Sequence, residues 1–307
     1  RRDPTANALR AAAGLIMSVL TSQDLERVLS FPVCIEEMRR AMIATSERRC
    51  VLPLRQFMPV PDRAGKLGLM PGYLGGDDEC FGVKIVSKFE RAAGDPHGSH
   101  VGAVLLFDAE TGLLQALLEG GTLTAIRTAS VTALATATLA RANARRLLIV
   151  GAGEEAWYHG RALLHARPFE SVDIWARDPA RAAALSARLR DWRADFATGD
   201  LPTPRFSAVH DLQTACHAAD VICTVTSAKQ PFLRGECLRP GVHVNLVGSA
   251  IPTTAEVDTE AVARARFFVD YREAALAQAG ELLQAVRDGR VGTDHIVAEL
   301  GEVLSGA

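Results

Sequence analysis

The feature that most constrains this 307-residue chain is a glycine-rich turn directly after a short apolar run. The run RLLIV, residues 146–150, is followed by GAGEEA, in which Gly151, Gly153 and Ala156 have the spacing GxGxxA. The first glycine permits a tight turn, the second lets an anion approach the backbone, and the small alanine lets a helix pack closely on a strand. Between a buried strand and a helix, this turn predicts a dinucleotide-binding α/β domain.

The residues after the glycine turn alternate between apolar runs and helical segments. Helices are expected from the glycine turn to residue 166, over 179–192 and after Asp211. The expected strands are RLLIV, SVDIW, PRFSAV, DVICTV, VHVNLVG and FFVD. Continuous apolar strands joined by crossover helices are typical of a parallel sheet covered on both faces. The predicted fold class is therefore α/β, with a Rossmann-type parallel sheet domain.

Residues 50–119 have a different sequence pattern. Proline and glycine separate short apolar runs, and no helical pattern lies between these runs. The expected strands are RQFMPV, LGLMPGYL, CFGVKIVSKF, HVGAVLLFD and LLQALLEG. DAETG, residues 108–112, is an expected hairpin turn. Such strands pair mainly antiparallel, so we predict an N-terminal α/β domain with a mainly antiparallel curved sheet.

The first helix is predicted from its capping residues. Thr21 and Asp24 form a capping-box pattern at its start. Met17, just before this pattern, is typical of a natural start, so residues 1–16 are expected to be an upstream extension.

Two longer helices are predicted from spacing and composition. Apolar residues recur at helical spacing over 33–46, and the Ala- and Thr-rich residues 122–141 predict a long buried helix. The predicted organisation is an N-terminal substrate and dimerisation domain over 17–121, a bridging helix over 122–143 and a Rossmann domain over 144–307.

Composition disfavours several classes of partner. The 34 Lys and Arg against 36 Asp and Glu give a formal net charge of −2, and only 6% of residues are aromatic, which disfavours nucleic acid as a partner. No apolar run approaches the roughly 18 residues of a membrane span, so no membrane association is expected. The six cysteines form no CxxC pair, so we expect reduced thiols and a cytoplasmic location.

Two further kinds of chemistry are disfavoured by missing motifs. The sequence has no HExxH motif and no close Cys and His cluster, so no metal site is predicted. It also has no GxSxG elbow, which disfavours a serine hydrolase.

The choice of dinucleotide is expected to depend on the residues after SVDIW. An acid at the end of this strand would bind the ribose hydroxyls of NAD, but Ala176 stands there. Arg177, with Arg181, can bind the 2′-phosphate of NADP. Asp178 is an acid near the same position, so NAD remains an alternative. NADP(H) is therefore the favoured cofactor and NAD(H) a possible one.

Three cationic residues in the first half of the chain and the bridging helix are candidates for binding a substrate. They are Arg55 in LPLRQF, Lys84 in GVKIVS and Arg127 in TAIRTA. Most exposed Arg and Lys side chains are solvated surface charges, so none of the three is decisive alone. Arginine can bind a carboxylate with two hydrogen bonds, and lysine can donate a proton.

Seven motifs, in order, resemble the ornithine cyclodeaminase/mu-crystallin family, and the likeness extends from about Met17 almost to the C-terminus. They are RQFMPV, LGLMPGY, FGVKIVS, LTAIRTASVTA, LLIVGAGEEA, ADVICTVTSAKQP and VHVNLVGSAIP. The resemblance implies a homodimer in which an N-terminal dimerisation and substrate domain precedes a Rossmann domain.

The resemblance also implies which residues meet the ligands. In the family, the arginine of the RTA motif, the lysine of the GxK strand and an upstream arginine bind the substrate carboxylate region beside the nicotinamide, and these positions correspond to Arg127, Lys84 and Arg55. His100 is a further candidate contact with the substrate. The candidate dinucleotide contacts are Thr128, Gly151, Ala152, Gly153, Glu154, Arg177, Asp178, Thr224, Thr226, Ser227 and Val247.

The residues after the VG turn distinguish members of the family. Cyclodeaminases and archaeal alanine dehydrogenases have an aspartate there that acts on the amino group, whereas this chain has Ser249 and Ala250. Alanine cannot act as a base, and VLLFD, REAALAQAGEL and AELGEVLSG are closer to the mu-crystallin-like ketimine reductases.

The resemblance therefore implies an NAD(P)H-dependent reductase of small cyclic or linear imino acids, with Lys84 as proton donor or electrostatic partner during hydride transfer to the C=N carbon. Three alternatives remain open. They are an ornithine cyclodeaminase that uses NAD catalytically, an alanine- or opine-type amino-acid dehydrogenase, and a non-enzymatic NADPH-dependent ligand-binding protein.

Overall fold

A computed structural model describes the protein over most of its length. The described residues are 17–63, 65–77, 79–89, 101–195, 203–249 and 251–306. They divide into unit 1, residues 17–30 and 48–124, and unit 2, residues 31–47 and 125–306. Residues 31–47, which the sequence places with the N-terminal domain, thus group with unit 2.

Unit 1 contains seven strands that form one sheet. They are β1 (Ser18–Leu20), β2 (Cys50–Val51), β3 (Gln56–Pro59), β4 (Gly65–Leu74), β5 (Cys80–Phe89), β6 (Val101–Asp108) and β7 (Leu114–Glu119). Their order is β1-β7-β6-β5-β4-β2, and β3 also pairs with β4. All of these pairs are antiparallel except β1 with β7, so the predicted mainly antiparallel sheet is confirmed.

The sheet of unit 1 has two different faces, because neighbouring residues on a strand point to opposite sides. Phe81 of β5 lies on one side, where it stacks on its cross-strand partner Phe107 with ring centroids 5.2 Å apart. We call this side the apolar face. Lys84, Val86 and Lys88 alternate with it on the other side of β5, which we call the lysine face.

Two local predictions in unit 1 are confirmed. Helix α1 (Ser22–Val28) begins with a capping box, in which the Asp24 N–H donates to the Thr21 hydroxyl and the Thr21 N–H donates to the Asp24 carboxylate. The β6–β7 turn closes with the Gly112 N–H donating to the Asp108 carbonyl at 2.9 Å, and Gly112 has the positive φ of 71° that favours glycine there.

Helix α2 (Phe31–Ser46) belongs to unit 2, and helix α3 (Gly120–Leu139) begins in unit 1 and continues into unit 2. The predicted long helix over 122–141 is therefore present, with its start two residues earlier. The reason is Glu119, whose carboxylate accepts the N–H groups of Gly121 and Thr122 at 2.7 and 2.8 Å and thereby caps the first turn.

Unit 2 also contains seven strands and the remaining helices. The strands are β8 (Arg146–Val150), β9 (Ser171–Trp175), β10 (Arg205–Ala208), β11 (Val221–Thr224), β12 (His243–Leu246), β13 (Phe267–Val269) and β14 (Ile296–Glu299). The helices are α4 (Glu154–Ala166), α5 (Pro179–Asp195), α6 (Leu212–Ala218), α7 (Thr259–Arg264), α8 (Arg272–Gln278), α9 (Gly280–Arg287) and α10 (Leu300–Ser305). Two short 3₁₀ turns lie at Gly235–Cys237 and Thr293–His295.

Five strands of unit 2 form a parallel sheet in the order β10-β9-β8-β11-β12. This confirms the predicted Rossmann-type sheet. The expected participation of FFVD was wrong, because β13 pairs instead with β14, 29 residues after it at the Phe267–Ile296 contact, in a separate two-stranded parallel sheet.

Apolar side chains cover both faces of the five-stranded sheet, as the continuous apolar strands predict. Leu148 and Ile222 are buried in the cluster on one face, and Leu147 and Ile149 in the cluster on the other. The structure gives all six cysteines as free, four of them buried: Cys34, Cys216, Cys223 and Cys237. Within the described ranges, no helix is long and apolar enough to cross a membrane.

Candidate functional site

The glycine turn has the geometry that its sequence predicts. Gly151 follows the last residue of β8 and has a φ of +128°, a conformation that side chains rarely adopt. Its N–H donates to the Trp175 carbonyl at 2.8 Å, and a Cβ placed on it would lie only 2.8 Å from the carbonyl oxygen of Val225. Both the backbone angle and the available space therefore require glycine.

Gly153, in contrast to Gly151, has open space beside it. It is the N-cap residue of α4, it has no side chain to cap the helix, and a Cβ placed on it would meet nothing within 4 Å. The free N–H groups of a helix N-terminus attract anions, while fully buried Ala156 lets the helix pack against the sheet. The residues present thus fit the phosphates of a dinucleotide, and exposed Glu154 lies on the same first turn.

The end of β9 carries the residues that were expected to select the dinucleotide. Arg177 is exposed there. The Asp178 carboxylate accepts the Ala180 N–H at 2.9 Å and so caps α5. Arg181 donates from its guanidinium to the Ala152 carbonyl at 3.3 Å, which places this cation against the glycine turn.

Glu256 links the carboxyl ends of β11 and β12, and no motif in the sequence marks it. Its fully buried carboxylate accepts the Thr224 hydroxyl at 2.8 Å, the Thr226 N–H and hydroxyl at 2.8 and 2.6 Å, and the Gly248 N–H at 2.8 Å. A buried carboxylate needs such donors to replace water. Both threonine hydroxyls are therefore used inside the protein.

A second buried acid supports this network. The Glu256 N–H donates to the Glu281 carboxyl at 3.0 Å, and burial, with the Glu256 charge nearby, raises the pKa of Glu281. Of the other predicted contacts at these strand ends, Ser227 is exposed, and the Val247 N–H donates to the Thr224 carbonyl at 3.1 Å. In the sequence, Glu256 stands between two apolar residues, Ala255 and Val257, and both are buried in the structure.

His159 of α4 is a second buried polar residue that no motif in the sequence marks. The ring is fully buried, and its Nδ1 lies 2.7 Å from the Glu155 carbonyl oxygen. Because a carbonyl only accepts, we assign the proton to Nδ1. Burial lowers the pKa of His159 to about 4, and the charge of Arg127 also lowers it, so the ring is neutral at pH 7.

The candidate substrate residues fall into both units. In unit 1, half-buried Lys84 lies on the lysine face opposite Met70, and Arg55 directly precedes β3. In unit 2, Arg127 is exposed on α3 and Thr128 follows it. His100 lies outside the described residues. Within those residues, no group of three or more His, Cys, Asp or Glu is placed to hold a metal ion.

The strand order of the parallel sheet, the glycine turn and the open N-terminus of α4 define a Rossmann-type dinucleotide-binding protein. The sequence model of the ornithine cyclodeaminase/mu-crystallin family matches residues 17–307. The chain belongs to this family.

Known proteins of this family are similar over most of the chain. The ketimine reductase mu-crystallin of Mus musculus is 37% identical over 255 residues, which are 83% of this chain and 75% of the relative. A Delta(1)-pyrroline-2-carboxylate reductase of Bacillus cereus is 33% identical over 291 residues, covering 94% and 86%. The solved structure of Thermococcus litoralis Delta(1)-pyrroline-2-carboxylate reductase in complex with NADH and L-proline has a TM-score of 0.87 and 29% identity, covering 94% of this chain and 87% of that one.

Proposed function

We propose that the protein reduces the C=N bond of small imino acids with NAD(P)H. The reaction converts the imine, NAD(P)H and a proton into the amine and NAD(P)⁺, with the hydride on carbon and the proton on nitrogen. The observation that carries this proposal is the similarity, over most of the chain, to proteins named as reductases of ketimines and of pyrroline-2-carboxylate. When bound, the nicotinamide supplies the hydride.

The substrate contacts are proposed from residue chemistry and the family resemblance. Arg127 and Arg55 bind the carboxylate of the imino acid, since a guanidinium can hold it with two parallel hydrogen bonds. Lys84 polarises the imine or donates the proton to its nitrogen. His100 remains a candidate contact. Each role predicts that removing the cation lowers turnover of the imine.

We propose NADP(H) as the preferred cofactor, with NAD(H) as the alternative. Three observations support this preference: Arg177 is exposed after β9, Arg181 contacts the glycine turn, and the Asp178 carboxylate caps a helix. Titration of Arg177→Ala with NADPH and NADH, followed by nicotinamide fluorescence, tests it. The variant should lose affinity for NADPH and keep its affinity for NADH, and an unchanged ratio would contradict the assignment.

We propose that the chain is a homodimer formed through the apolar face of unit 1. Val51 lies on this face with Phe81, because both are paired with Tyr73, and the two side chains are 59% and 37% exposed. Large exposed apolar patches usually mark a surface that another protein covers. Light scattering should give twice the chain mass, and Phe81→Glu should give a monomer. A monomeric wild-type protein would refute the proposal. The six free thiols fit the cytoplasmic location that we also propose.

One assay panel separates the proposed reaction from its rivals. Pyrroline-, piperideine- and thiazoline-carboxylates are incubated with NADPH or NADH, and loss of cofactor absorbance is followed. Parallel reactions contain ornithine with ammonia detection, and alanine with NAD⁺. Imine reduction supports the proposal, while proline and ammonia from ornithine, NADH from alanine, or cofactor binding without turnover would each replace it with another activity.

A further inference from the structure

The lysines of this chain are unevenly placed. Only four of its 34 Lys and Arg residues are lysines: Lys66, Lys84, Lys88 and Lys229. The first three lie on β4 and β5 in unit 1, whereas Lys229 belongs to unit 2. Arginine and lysine are not interchangeable, since lysine offers a compact ammonium on a flexible stem. In a chain that otherwise uses arginine, three lysines on two adjacent strands require an explanation.

The strand register places these three lysines on the same side of the sheet. Lys66 of β4 is directly opposite Lys88 of β5, and Lys84 lies four residues before Lys88, so the side-chain alternation points all three to the lysine face. Like charges directly opposite one another destabilise a sheet. An anion that lies against Lys66 and Lys88 would relieve this repulsion.

The middle of the lysine face is apolar and closely packed. Phe57 of β3 is opposite Gly68, and a Cβ on Gly68 would lie 2.9 Å from the Phe57 ring and 3.1 Å from Val86. The Lys66 ammonium lies over this same ring, 4.4 Å from its centroid. The ring thus holds Lys66 next to Lys88, with Phe57 and Val86 between this pair and Lys84.

Arg55 belongs to the same face. It directly precedes β3, and continuing the β3–β4 register would place it opposite Met70, which pairs with Lys84. Partial burial lowers the pKa of Lys88, and the charges of Lys66 and Arg55 lower it further. One end of the face carries Arg55 and Lys84, and the other carries Lys66 and Lys88.

We propose that Lys66 and Lys88 bind a second acidic group on the substrate, so that the preferred imino acid carries a carboxylate on its side chain as well as on its α-carbon. This inference rests on the proposed function, because it takes Arg55 and Lys84 to bind the imino acid at the other end of the face. The two ends are about 13 Å apart along the strands at the Cα positions, from the rise per residue. The flexible lysine stems let their charges reach a ligand that lies between the two ends.

The test compares two open-chain imines of equal length. Methylamine with 2-oxoglutarate gives the dicarboxylic imine, methylamine with 2-oxopentanoate gives the monocarboxylic one, and NADPH consumption is followed for each. We expect kcat/KM to be about 10-fold or more higher for the dicarboxylic imine, a size typical of a charge-assisted hydrogen bond. Lys66→Met and Lys88→Met should each remove most of this advantage through KM, with kcat and the monocarboxylic reaction little changed.

The matched control is Arg63→Met, which removes an exposed positive charge from the turn between β3 and β4 in the same unit. It should leave the preference between the two imines unchanged. Lys88→Arg, which keeps a positive charge, should retain part of the preference that Lys88→Met loses. Equal kcat/KM for the two imines in the wild type, or equal losses on both imines in the lysine variants, would overturn the inference while leaving imine reduction in place.

A binding measurement keeps the inference testable even if imine reduction fails. Glutarate and pentanoate, which differ by one carboxylate, are titrated into the protein with and without NADP⁺ in a calorimeter. Glutarate should bind more tightly, and Lys66→Met and Lys88→Met should abolish the difference. Equal affinities for the two acids would refute the second acid site, whatever the assays of imine reduction show.

Discussion

The candidate dinucleotide site of unit 2 is made largely of backbone, whereas the candidate substrate groups of unit 1 are the ends of long side chains on a regular sheet. Gly151 and Gly153 act through the shape of the chain and the space beside it. Lys84 and Lys88 are proposed to act through their ammonium groups, and the strand register places both residues on one face.

We therefore expect function and stability to be coupled at Gly151 of the glycine turn and separable on the lysine face of unit 1. A substitution that changes the backbone of the glycine turn alters the fold and the site together. A substitution that removes an ammonium from the lysine face leaves the ladder of main-chain hydrogen bonds intact.

The largest effect is expected for Gly151→Ala. The positive φ and the approach of the Val225 carbonyl should together cost about 4 kcal/mol of unfolding free energy and abolish measurable NADPH binding. Gly153→Ala is the matched comparison, because its Cβ enters open space and should weaken NADPH binding with little change in stability. Thermal unfolding and fluorescence titration check both. A Gly151→Ala protein with wild-type stability would contradict the coupling of function and stability at Gly151.

A pH-dependent loss of stability is expected from His159 in unit 2. Since the pKa falls from 6.5 unfolded to about 4 folded, the folded state resists protonation. The contribution of His159 to stability should be complete above pH 6.5 and decline by about 3 kcal/mol as the pH falls toward 4, and His243, whose pKa burial also lowers to about 4, should add to the decline. Denaturant unfolding of His159→Gln across this range should show a flatter profile than the wild type. Parallel profiles would show that His159 is not the group responsible.

For unit 1, Lys84→Met should lower kcat/KM for pyrroline-2-carboxylate by roughly 100-fold, the usual contribution of a positioned proton donor. Its unfolding temperature should stay close to that of the wild type, since the change leaves the strand pairs of β5 in place. Steady-state kinetics and calorimetry measure the two quantities. Near-normal turnover, or a large loss of stability, would contradict the separation of function from fold.

The smallest effect is expected at the β6–β7 turn. Gly112→Ala places a side chain at a φ of 71° but in open space, so it should cost only about 1 kcal/mol. Turnover should be unchanged. Chemical denaturation checks the value, and a cost as large as that of Gly151→Ala would show that the approach of Val225 adds nothing at the glycine turn.

The parts of the fold that could be predicted from the sequence are those specified by neighbouring residues. The glycine turn, the capping box of Thr21 and Asp24, and the turn at Gly112 each depend on a few consecutive residues whose chemistry fixes the backbone. The apolar runs likewise predict the strands, because alternation or continuity of apolar residues shows which faces are covered.

The parts that could not be predicted depend on residues far apart in the chain. Glu256 accepts hydrogen bonds from Thr224 and Thr226, 32 and 30 residues away, and no local pattern marks such donors. The same holds for the pairing of β13 with β14. Helix α2 groups with unit 2 through contacts such as the Ser46 hydroxyl donating to Glu299 at 2.8 Å, 253 residues away.

The most direct measurement is the reduction of pyrroline-2-carboxylate by the purified protein, with NADPH loss followed by absorbance and the product identified by chiral chromatography. We expect a single enantiomer of proline in an amount equal to the NADPH consumed, with Lys84→Met and Gly153→Ala both impaired. Cofactor that binds but is not consumed with any of the imines, while ornithine or alanine is converted, would contradict it.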